Sequence, residues 1–415
     1  MAIGLAAATP ATSTPSATPT PTPSPTIPDP PKPLPGPAVP ADQVVGGPRL
    51  LDTGAMVVDA AHATGPVPPT YDRSVIVADL DSGEILAALN PHAWLYPAST
   101  LKTLLCLVVI PRLDPTAKVV ATRGEVTAEG TRVGMVEGAT YTVDQLLGAT
   151  ILISGNDSAY ALAEAAGGRA QTIERMNQQA AELGAWDTVA VDPSGLDEPG
   201  QRSSAYDLAL IGRAVMALPA YRRWAATKQM TFPGAVEKGG ASRTYKPFVV
   251  GNHNRLFWNY PGTIGVKNGH TTLAENTYVG AATRGGHTIL IVQMGHVQPS
   301  WQNSAALFDW GFANLGRVTP VGQLVAPGTA AQPVALGGTA TASSSSPPTS
   351  TSSSTSMPPA GSPSTAVTFA ALDALGSAPV RWGLGSVLGF AVVLVLLRAR
   401  VRRRRRGRRA GSYRR

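Results

Sequence analysis

Two low-complexity segments limit what this chain can fold into. Residues 1–45 are dominated by Pro, Thr, Ser and Ala, and residues 327–380 consist mostly of Ser, Thr, Ala, Gly and Pro. Segments so poor in large apolar side chains cannot bury enough surface to offset the entropy lost on ordering. We therefore predict that both are disordered, the first retaining the remnant of an export signal and the second acting as a linker. The foldable part is then residues 46–326, enough for one sizeable globular domain.

A hydrophobic span followed by a basic cluster comes after the linker. Sixteen uncharged residues rich in Leu, Val and Gly separate Arg381 from Arg398, and residues 399–415 are rich in Arg. At about 1.5 Å per residue the span is slightly shorter than a hydrocarbon core of ~30 Å, but the two flanking arginines can snorkel to the interfaces. A basic cluster beside such a span marks the cytoplasmic side. We predict a single-pass transmembrane helix at 381–398, a cytoplasmic tail at 399–415 and a globular domain outside the cytoplasm. The alternative is a helix buried in a protein core, which the low-complexity and basic flanks disfavour.

The distribution of charge argues against a nucleic-acid partner. The formal net charge is +8, but eleven of the 34 Lys and Arg residues lie within residues 398–415. Residues 1–397 therefore hold 23 basic residues against 26 acidic ones, a net charge of −3. A mildly acidic domain is not expected to bind nucleic acid. The single cysteine, Cys106, cannot form an intrachain disulfide, and we predict that it is a small buried residue.

The periodicity of apolar residues predicts strands at both ends of the domain and helices between them. Residues 74–79 and 82–87 form two runs rich in β-formers around an Asp-Leu-Asp-Ser-Gly turn, which predicts a hairpin. Further strands are predicted at 262–267, 277–282 and 288–294, and helices at 143–151 (with Thr142 as N-cap), 159–166, 170–183, 204–218 and 301–315, with residues 154–156 as a loop. This order implies an α/β body whose terminal segments share one sheet.

Ser99 and Lys102 stand three residues apart, just before an apolar run. Pro97 suits the approach to a helix, so a helix beginning near Ala98 would put both side chains on one face. A serine hydroxyl is a poor nucleophile until a base takes its proton, and a lysine with a depressed pKa can serve as that base. The pair alone is weak support for catalysis, because many helices carry Ser and Lys at this spacing.

Two further motifs in the sequence support a catalytic role for Ser99 and Lys102. Ser99-x-x-Lys102 is followed by Ser154-Gly155-Asn156 and then by Lys267-Asn268-Gly269. This order resembles the penicillin-binding and serine β-lactamase-like proteins, whose signatures are Ser-x-x-Lys, Ser-x-Asn and Lys-Thr-Gly. Over about residues 71–318 the linking sequence is similar to the low-molecular-weight D-alanyl-D-alanine carboxypeptidases, including Val77–Gly83 and the turn Ser194-Gly195-Leu196. The resemblance implies an α/β fold with an antiparallel sheet, helices on both of its faces and a mostly helical subdomain.

The same resemblance implies a role for each motif residue. Ser99 would attack the carbonyl between two D-alanines and form an acyl-enzyme, with Lys102 as the base. Ser154 would relay a proton to the leaving nitrogen, and Asn156 would hold the peptide amide and orient Lys102. The substrate would be bound by Lys267, Asn268, Gly269, His270 and Thr271. Within this set Lys267 would attract the terminal carboxylate, and the backbone N–H of His270 would complete an oxyanion hole with that of Ser99.

The third motif departs from the family pattern. Asn268 stands where a hydroxyl residue usually contacts the terminal carboxylate, although its amide can also donate a hydrogen bond. Glu275 stands where the family often has glycine. The expected partners are a peptidoglycan stem peptide ending in D-Ala-D-Ala, β-lactam antibiotics as acylating inhibitors, and the membrane through the C-terminal helix. No cofactor or metal is expected, since the six histidines are scattered without a His-Glu-x-x-His spacing.

Two other functions remain open at this point. A class A-like β-lactamase shares these motifs but needs an additional glutamate to activate the deacylating water, and Glu198 is the only candidate in the turn at 192–202. A catalytically degenerate scaffold that binds the cell wall would retain the fold, with Asn268 as the sign of lost activity.

Overall fold

The computed structural model describes residues 36–236, 244–297 and 300–334. The strands are β1 (Val57–Val58), β2 (Ser74–Asp79), β3 (Glu84–Leu89), β4 (Lys118–Val120), β5 (Thr140–Thr142), β6 (Gln229–Phe232), β7 (Ala235–Val236), β8 (Thr244–Tyr245), β9 (Phe248–Gly251), β10 (Thr263–Thr271), β11 (Glu275–Arg284), β12 (His287–His296) and β13 (Gly322–Gln323). The helices are α1 (Lys102–Val109), α2 (Arg123–Val126), α3 (Val143–Leu152), α4 (Asn156–Ala165), α5 (Arg169–Glu182), α6 (Ala205–Met216), α7 (Pro219–Ala225), α8 (Arg255–Asn259) and α9 (Trp301–Asn314). Short 3-10 helices occupy Ala41–Gln43, Pro48–Leu51 and Ala98–Leu101.

A seven-stranded antiparallel sheet organises the domain. Its order is β1-β3-β2-β12-β11-β10, and β13 also pairs with β3. The predicted hairpin is β2–β3, and β12 pairs with β2 from Ile289↔Asp79 to Met294↔Ser74. The prediction that the two ends of the domain share one sheet is therefore confirmed. β10, which carries the third motif, lies at the edge of the sheet.

Helices cover both faces of this sheet, as predicted. Because strand side chains alternate between faces, Val75 and Val77 pack with α9, whereas Ile76 and Ala78 pack with α1 and α6. Every residue of α1 is buried, which explains why the segment after Ser99 is apolar all round. With α3, α4 and α5, this helix forms the core of the helical subdomain.

Several predicted boundaries need correction. Asn156 was predicted to lie in a loop but is the first residue of α4, because the turn is completed by Ser154 (φ +66°) and by Gly155 as N-cap. The helix predicted to run to residue 218 stops at Met216, because Pro219 starts α7. Thr142 caps α3 as predicted, its side chain accepting a hydrogen bond from Gln145 N.

The predicted disordered and membrane segments lie almost entirely outside the described residues. Residues 36–45 are described, and Val39 and Val44 are buried in the core, although the sequence placed them in the disordered segment. Within the described ranges, no helix is long and apolar enough to cross a membrane. The predicted span 381–398, the tail 399–415 and residues 335–380 of the linker are outside those ranges. Cys106 is fully buried, as predicted.

Candidate active site

Ser99 lies in a tight turn that begins α1. The 3-10 helix Ala98–Leu101 runs directly into α1, so the predicted helix does start at Ala98, although its first turn is 3-10. Ala98 is left-handed, with φ +48°. A Cβ on Gly195 would lie 2.0 Å from Ala98 O, so only glycine allows the loop at 194–196 to approach this turn. The turn and the loop together form one wall of the site.

Lys102 is the most completely bonded side chain of the site. It is 1% exposed, and its Nζ lies 2.9 Å from Ser99 Oγ, 2.7 Å from Asn156 Oδ1 and 2.6 Å from Ser194 O. Burial lowers the pKa of Lys102 well below its usual value, and the nearby positive charge of Lys267 lowers it further. A neutral amine has two N–H donors and one lone pair. Since Asn156 Oδ1 and Ser194 O can only accept, the lone pair remains for the proton of Ser99.

Ser154 and Asn156 form the second wall. Asn156 Nδ2 donates to Glu129 O at 2.6 Å, which fixes its Oδ1 toward Lys102. The Ser154 hydroxyl is buried and has no hydrogen-bond partner among the described residues. A buried hydroxyl without a hydrogen-bond partner costs free energy. This is consistent with a group whose partner is the bound substrate.

Strand β10 forms the third wall. Lys267 is 2% exposed, its Nζ donates to Asn268 O at 2.6 Å, and burial lowers its pKa to about 7. A Cβ on Gly269 would lie 2.7 Å from Ser99 N and 2.5 Å from Thr277 Oγ1. Glycine at this position therefore lets the backbone of β10 lie directly against the serine.

The other predicted substrate-binding residues on β10 do not all face the same part of the site. Asn268 and His270 alternate with Lys267 and Gly269 along β10, and both line a cavity beside the strand. The Thr271 hydroxyl donates to Asp197 Oδ1 at 2.6 Å. The structure thus brings Ser99, Lys102, Asn156, Lys267 and Gly269 together, with Ser154 beside them, and joins Thr271 to the loop at 196–201 instead.

Sequence reasoning assigned no role to two carboxylates that shape the walls. Asp192 Oδ1 accepts from the backbone N–H groups of Ser194 and Gly195, which directs Ser194 O toward Lys102. Asp157 accepts from the backbone N–H groups of residues 133, 134 and 135. The Asp-Pro-Ser-Gly sequence could have indicated the role of Asp192, since an Asp side chain in a turn commonly accepts a hydrogen bond from the backbone N–H two residues on. Nothing local in the sequence indicated the loop that Asp157 holds.

A serine beside a buried lysine, with a second lysine on an antiparallel edge strand, is the arrangement of the active-site-serine hydrolases of the penicillin-binding type. In the described part of the chain, no group of three or more His, Cys, Asp or Glu side chains could hold a metal ion. The family model for D-alanyl-D-alanine carboxypeptidases, peptidase family S11, matches residues 62–298. The chain belongs to this family.

Similar proteins agree with this assignment. A D-alanyl-D-alanine carboxypeptidase of Mycobacterium tuberculosis, DacB2, is 43% identical over 266 residues, which is 62% of this chain and 88% of the relative. A crystal structure of a D-alanyl-D-alanine carboxypeptidase from M. tuberculosis H37Rv superposes with a TM-score of 0.58 at 40% identity, covering 64% of this chain and 99% of the other. The Streptomyces K15 DD-transpeptidase gives a TM-score of 0.55 at 28% identity, covering 60% of this chain and 100% of the other.

Proposed function

We propose that this protein removes the terminal D-alanine from peptidoglycan stem pentapeptides through an acyl-enzyme on Ser99. The observation that carries the proposal is the contact between Ser99 Oγ and Lys102 Nζ at 2.9 Å, with the other two partners of Nζ being acceptors. The Lys102 amine takes the hydroxyl proton as Oγ attacks the carbonyl between the two D-alanines. The C–N bond of the tetrahedral intermediate then breaks, and water hydrolyses the resulting ester.

The other motif residues support each stage of this reaction. Ser154 passes the proton from Lys102 toward the leaving nitrogen. The backbone N–H groups of Ser99 and His270 stabilise the oxyanion, where one donor is typically worth about 2.7–4 kcal/mol. The close approach of β10 to Ser99 at Gly269, the residue before His270, supports this pairing. Lys267 and Asn268 attract and bond the terminal carboxylate.

The geometry favours this function over the two alternatives. A degenerate scaffold would not need the hydroxyl of Ser99 within hydrogen-bonding distance of a lysine whose pKa is depressed. Glu198, the only candidate for the additional base of a class A-like β-lactamase, is exposed on its loop. The β-lactam antibiotics are therefore proposed as acylating inhibitors and not as rapidly hydrolysed substrates.

We also propose that residues 381–398 anchor the enzyme in the membrane, with the catalytic domain on the cell-wall side and residues 399–415 in the cytoplasm. The described part of the chain supports this layout. β13 pairs with β3 at the sheet edge opposite β10, five strand spacings away, which is roughly 24 Å. From β13 the described chain continues to Val334, whose backbone N–H donates to Gln43 Oε1, before the proposed linker begins.

The direct test is release of D-alanine from a peptide ending in D-Ala-D-Ala. We expect the full-length protein to release D-alanine and to gain the mass of one penicillin on incubation with the antibiotic. Ser99→Ala should abolish both signals, because it removes the attacking oxygen. Ser82→Ala, which alters a serine in the turn between β2 and β3, is the control and should retain both. An active Ser99→Ala variant, or a wild-type protein that neither releases D-alanine nor is labelled, would refute the proposal.

A further inference from the structure

A cavity of about 260 Å³ lies beside the third motif, where Asn268, Gly269 and His270 of β10 line it. Two rows of side chains that cross β10, β11 and β12 form its floor. These rows are Asn268–Tyr278–Gln293 and His270–Asn276–His296. Residues 253–256 and the beginning of α9 at Ser300 and Trp301 complete the walls.

The lining of the cavity suits an anion. Among the described residues that line it there is no Asp or Glu, whereas Arg255 and three histidines are present. Asp72 lies behind the floor, but it pairs with His296 at 2.6 Å and accepts from Gln293 Nε2 at 2.6 Å. Glu275 is paired with Arg73 at 3.2 Å. The nearby carboxylates are thus already engaged, Asp72 by His296 and Gln293 of the cavity floor and Glu275 by Arg73 outside the cavity.

Asn254 supplies an unused donor in this lining. Its side chain is 4% exposed, and its Oδ1 accepts from Leu256 N and from the Tyr278 hydroxyl, both at 3.2 Å. The Leu256 N–H can only donate, which fixes the end of the amide facing it as oxygen, so Nδ2 is the remaining group. Nδ2 is buried and has no hydrogen-bond partner among the described residues. A buried amide N–H of this kind is costly unless a ligand accepts from it.

The cavity is also close to the catalytic groups. Gly269 lines it and at the same time lies against Ser99 N. His253 lines it as well and is near enough to Lys267 for that charge to lower its pKa, after the larger effect of burial. A group bound in the cavity would therefore contact the same residue of β10 that lies against Ser99.

We propose that Asn254 is a specificity-determining residue whose Nδ2 donates to the C-terminal carboxylate of the substrate inside this cavity. This inference rests on the proposed carboxypeptidase function. The carboxylate would then be bound both by β10 and by Asn254 in the loop before α8. On β10, Asn268 stands where the family usually has a hydroxyl residue. The ligand class is a D-amino acid residue with a free α-carboxylate.

Asn254→Asp tests the proposal with almost no change in shape. The aspartate keeps an oxygen for Leu256 N and Tyr278 but replaces the donor with a negative charge. We expect kcat/KM for the D-Ala-D-Ala peptide, and the rate of acylation by a penicillin with a free carboxylate, to fall roughly tenfold or more. The loss should appear mainly in KM, because the carboxylate is bound equally in the ground and transition states. Acylation by the methyl ester of the same penicillin should change less than about twofold.

Asn259→Asp is the matched control, since it adds the same charge to an exposed position of α8. It should leave both rates unchanged. Equal slowing of acid and ester by Asn254→Asp, or no slowing of the acid, would overturn the proposal while leaving the carboxypeptidase function intact. A wild-type protein that releases no D-alanine would refute both.

A second variant covers the case in which Asn254→Asp does not fold, as judged by its unfolding temperature. Tyr278→Phe removes the hydroxyl that orients the Asn254 amide but leaves the helix cap in place. We expect it to slow acylation by the free acid several-fold and to spare the ester. Absence of that selectivity would also overturn the proposal.

Discussion

At the scale of single residues, two buried lysines dominate the chemistry of the site. Lys102 and Lys267 are each almost fully buried, and the charge of Lys267 helps to lower the pKa of Lys102. Burial is the larger cause in both cases, because it removes the water that stabilises an ammonium ion. Keeping either lysine buried therefore costs folding stability at a pH where the unfolded chain would be protonated.

This cost makes stability depend on pH in a defined window. The pKa of Lys267 falls from 10.5 to about 7 on folding. Between these values the unfolded chain holds a proton that the folded protein lacks, so stability rises with pH, by up to about 1.4 kcal/mol per unit. Below pH 7 both states are protonated, and above 10.5 neither is, so the contribution is constant outside the window.

Lys267→Met should remove this dependence, because methionine does not titrate. We expect the difference in unfolding free energy between wild type and Lys267→Met, measured by urea denaturation, to shift in favour of the wild type as pH rises from 7 toward 10. Lys228→Met, which alters a lysine outside the site at the start of the β6–β9 hairpin, should show no such trend relative to wild type. A constant difference between wild type and Lys267→Met would show that Lys267 remains charged in the folded protein.

At the scale of elements, the site exists because β10 lies against the turn that begins α1. Gly269 is the point of contact, and Thr277 on β11 bonds Pro97 O at 2.9 Å from the neighbouring strand. Gly195 makes the matching approach from the loop before α6. Three segments distant in sequence are thus held together by backbone contacts that leave no room for side chains.

Gly269→Ala should therefore disable the enzyme while leaving most of the fold intact. Its Cβ would lie within 3.0 Å of atoms of Thr277, Ser99 and Ala98, so β10 must move away from the nucleophile. We expect kcat/KM for D-alanine release to fall at least roughly 100-fold, because a displacement near 1 Å in a catalytic group can have that effect. Gly251→Ala is the control, since a Cβ there meets nothing within 4 Å and the position has an ordinary φ. Equal activity of the two variants would contradict this account of Gly269.

Thr271 and Asp197 form a second link between elements, joining β10 to the loop at 196–201. If the threonine acts through this loop, Thr271→Val and Asp197→Ala should lower kcat/KM to a similar extent, and the double variant should be no worse than either single one. Additive losses in the double variant would instead favour direct contact between Thr271 and the substrate.

At the scale of the whole molecule, the sheet separates the catalytic edge from the opposite edge at β13. Residues 327–334 still lie on the domain, since Gly328 N donates to Glu182 O and Val334 N donates to Gln43 Oε1. The proposed linker would therefore begin after residue 334 and would let the domain reach substrate fixed in the wall at some distance from an anchor. This arrangement requires that residues 381–398 hold the protein in the membrane.

Removal of residues 381–415 tests the anchor. We expect the full-length protein to sediment with membranes and the truncated protein to remain in the supernatant, with the same kcat/KM for D-alanine release. A variant lacking only residues 399–415 is the control and should still sediment. Membrane association that survives removal of residues 381–415 would contradict the proposed anchor.

The sequence by itself determined the fold class and indicated the groups that we propose as catalytic. Local patterns sufficed for the β2–β3 hairpin, for the Thr142 cap of α3 and for the spacing of Ser99 and Lys102, because each depends on residues close together in the chain. The three motifs also sufficed to indicate the family, since their order and their linking sequence are both specific. The start of α4 at Asn156 was misplaced, because a left-handed serine there is decided by the packing of the loop and not by propensity.

Only the tertiary structure decided how those groups meet. Ser194 O accepts a hydrogen bond from Lys102 Nζ, and Gly269 allows the backbone of β10 to lie against Ser99. Among the described residues, Asn254 Nδ2 has no acceptor in the cavity beside Asn268. None of these follows from local sequence, because each depends on contacts between segments dozens of residues apart. Burial is likewise a property of the assembled fold, and burial is what lowers the pKa of both lysines below the usual value.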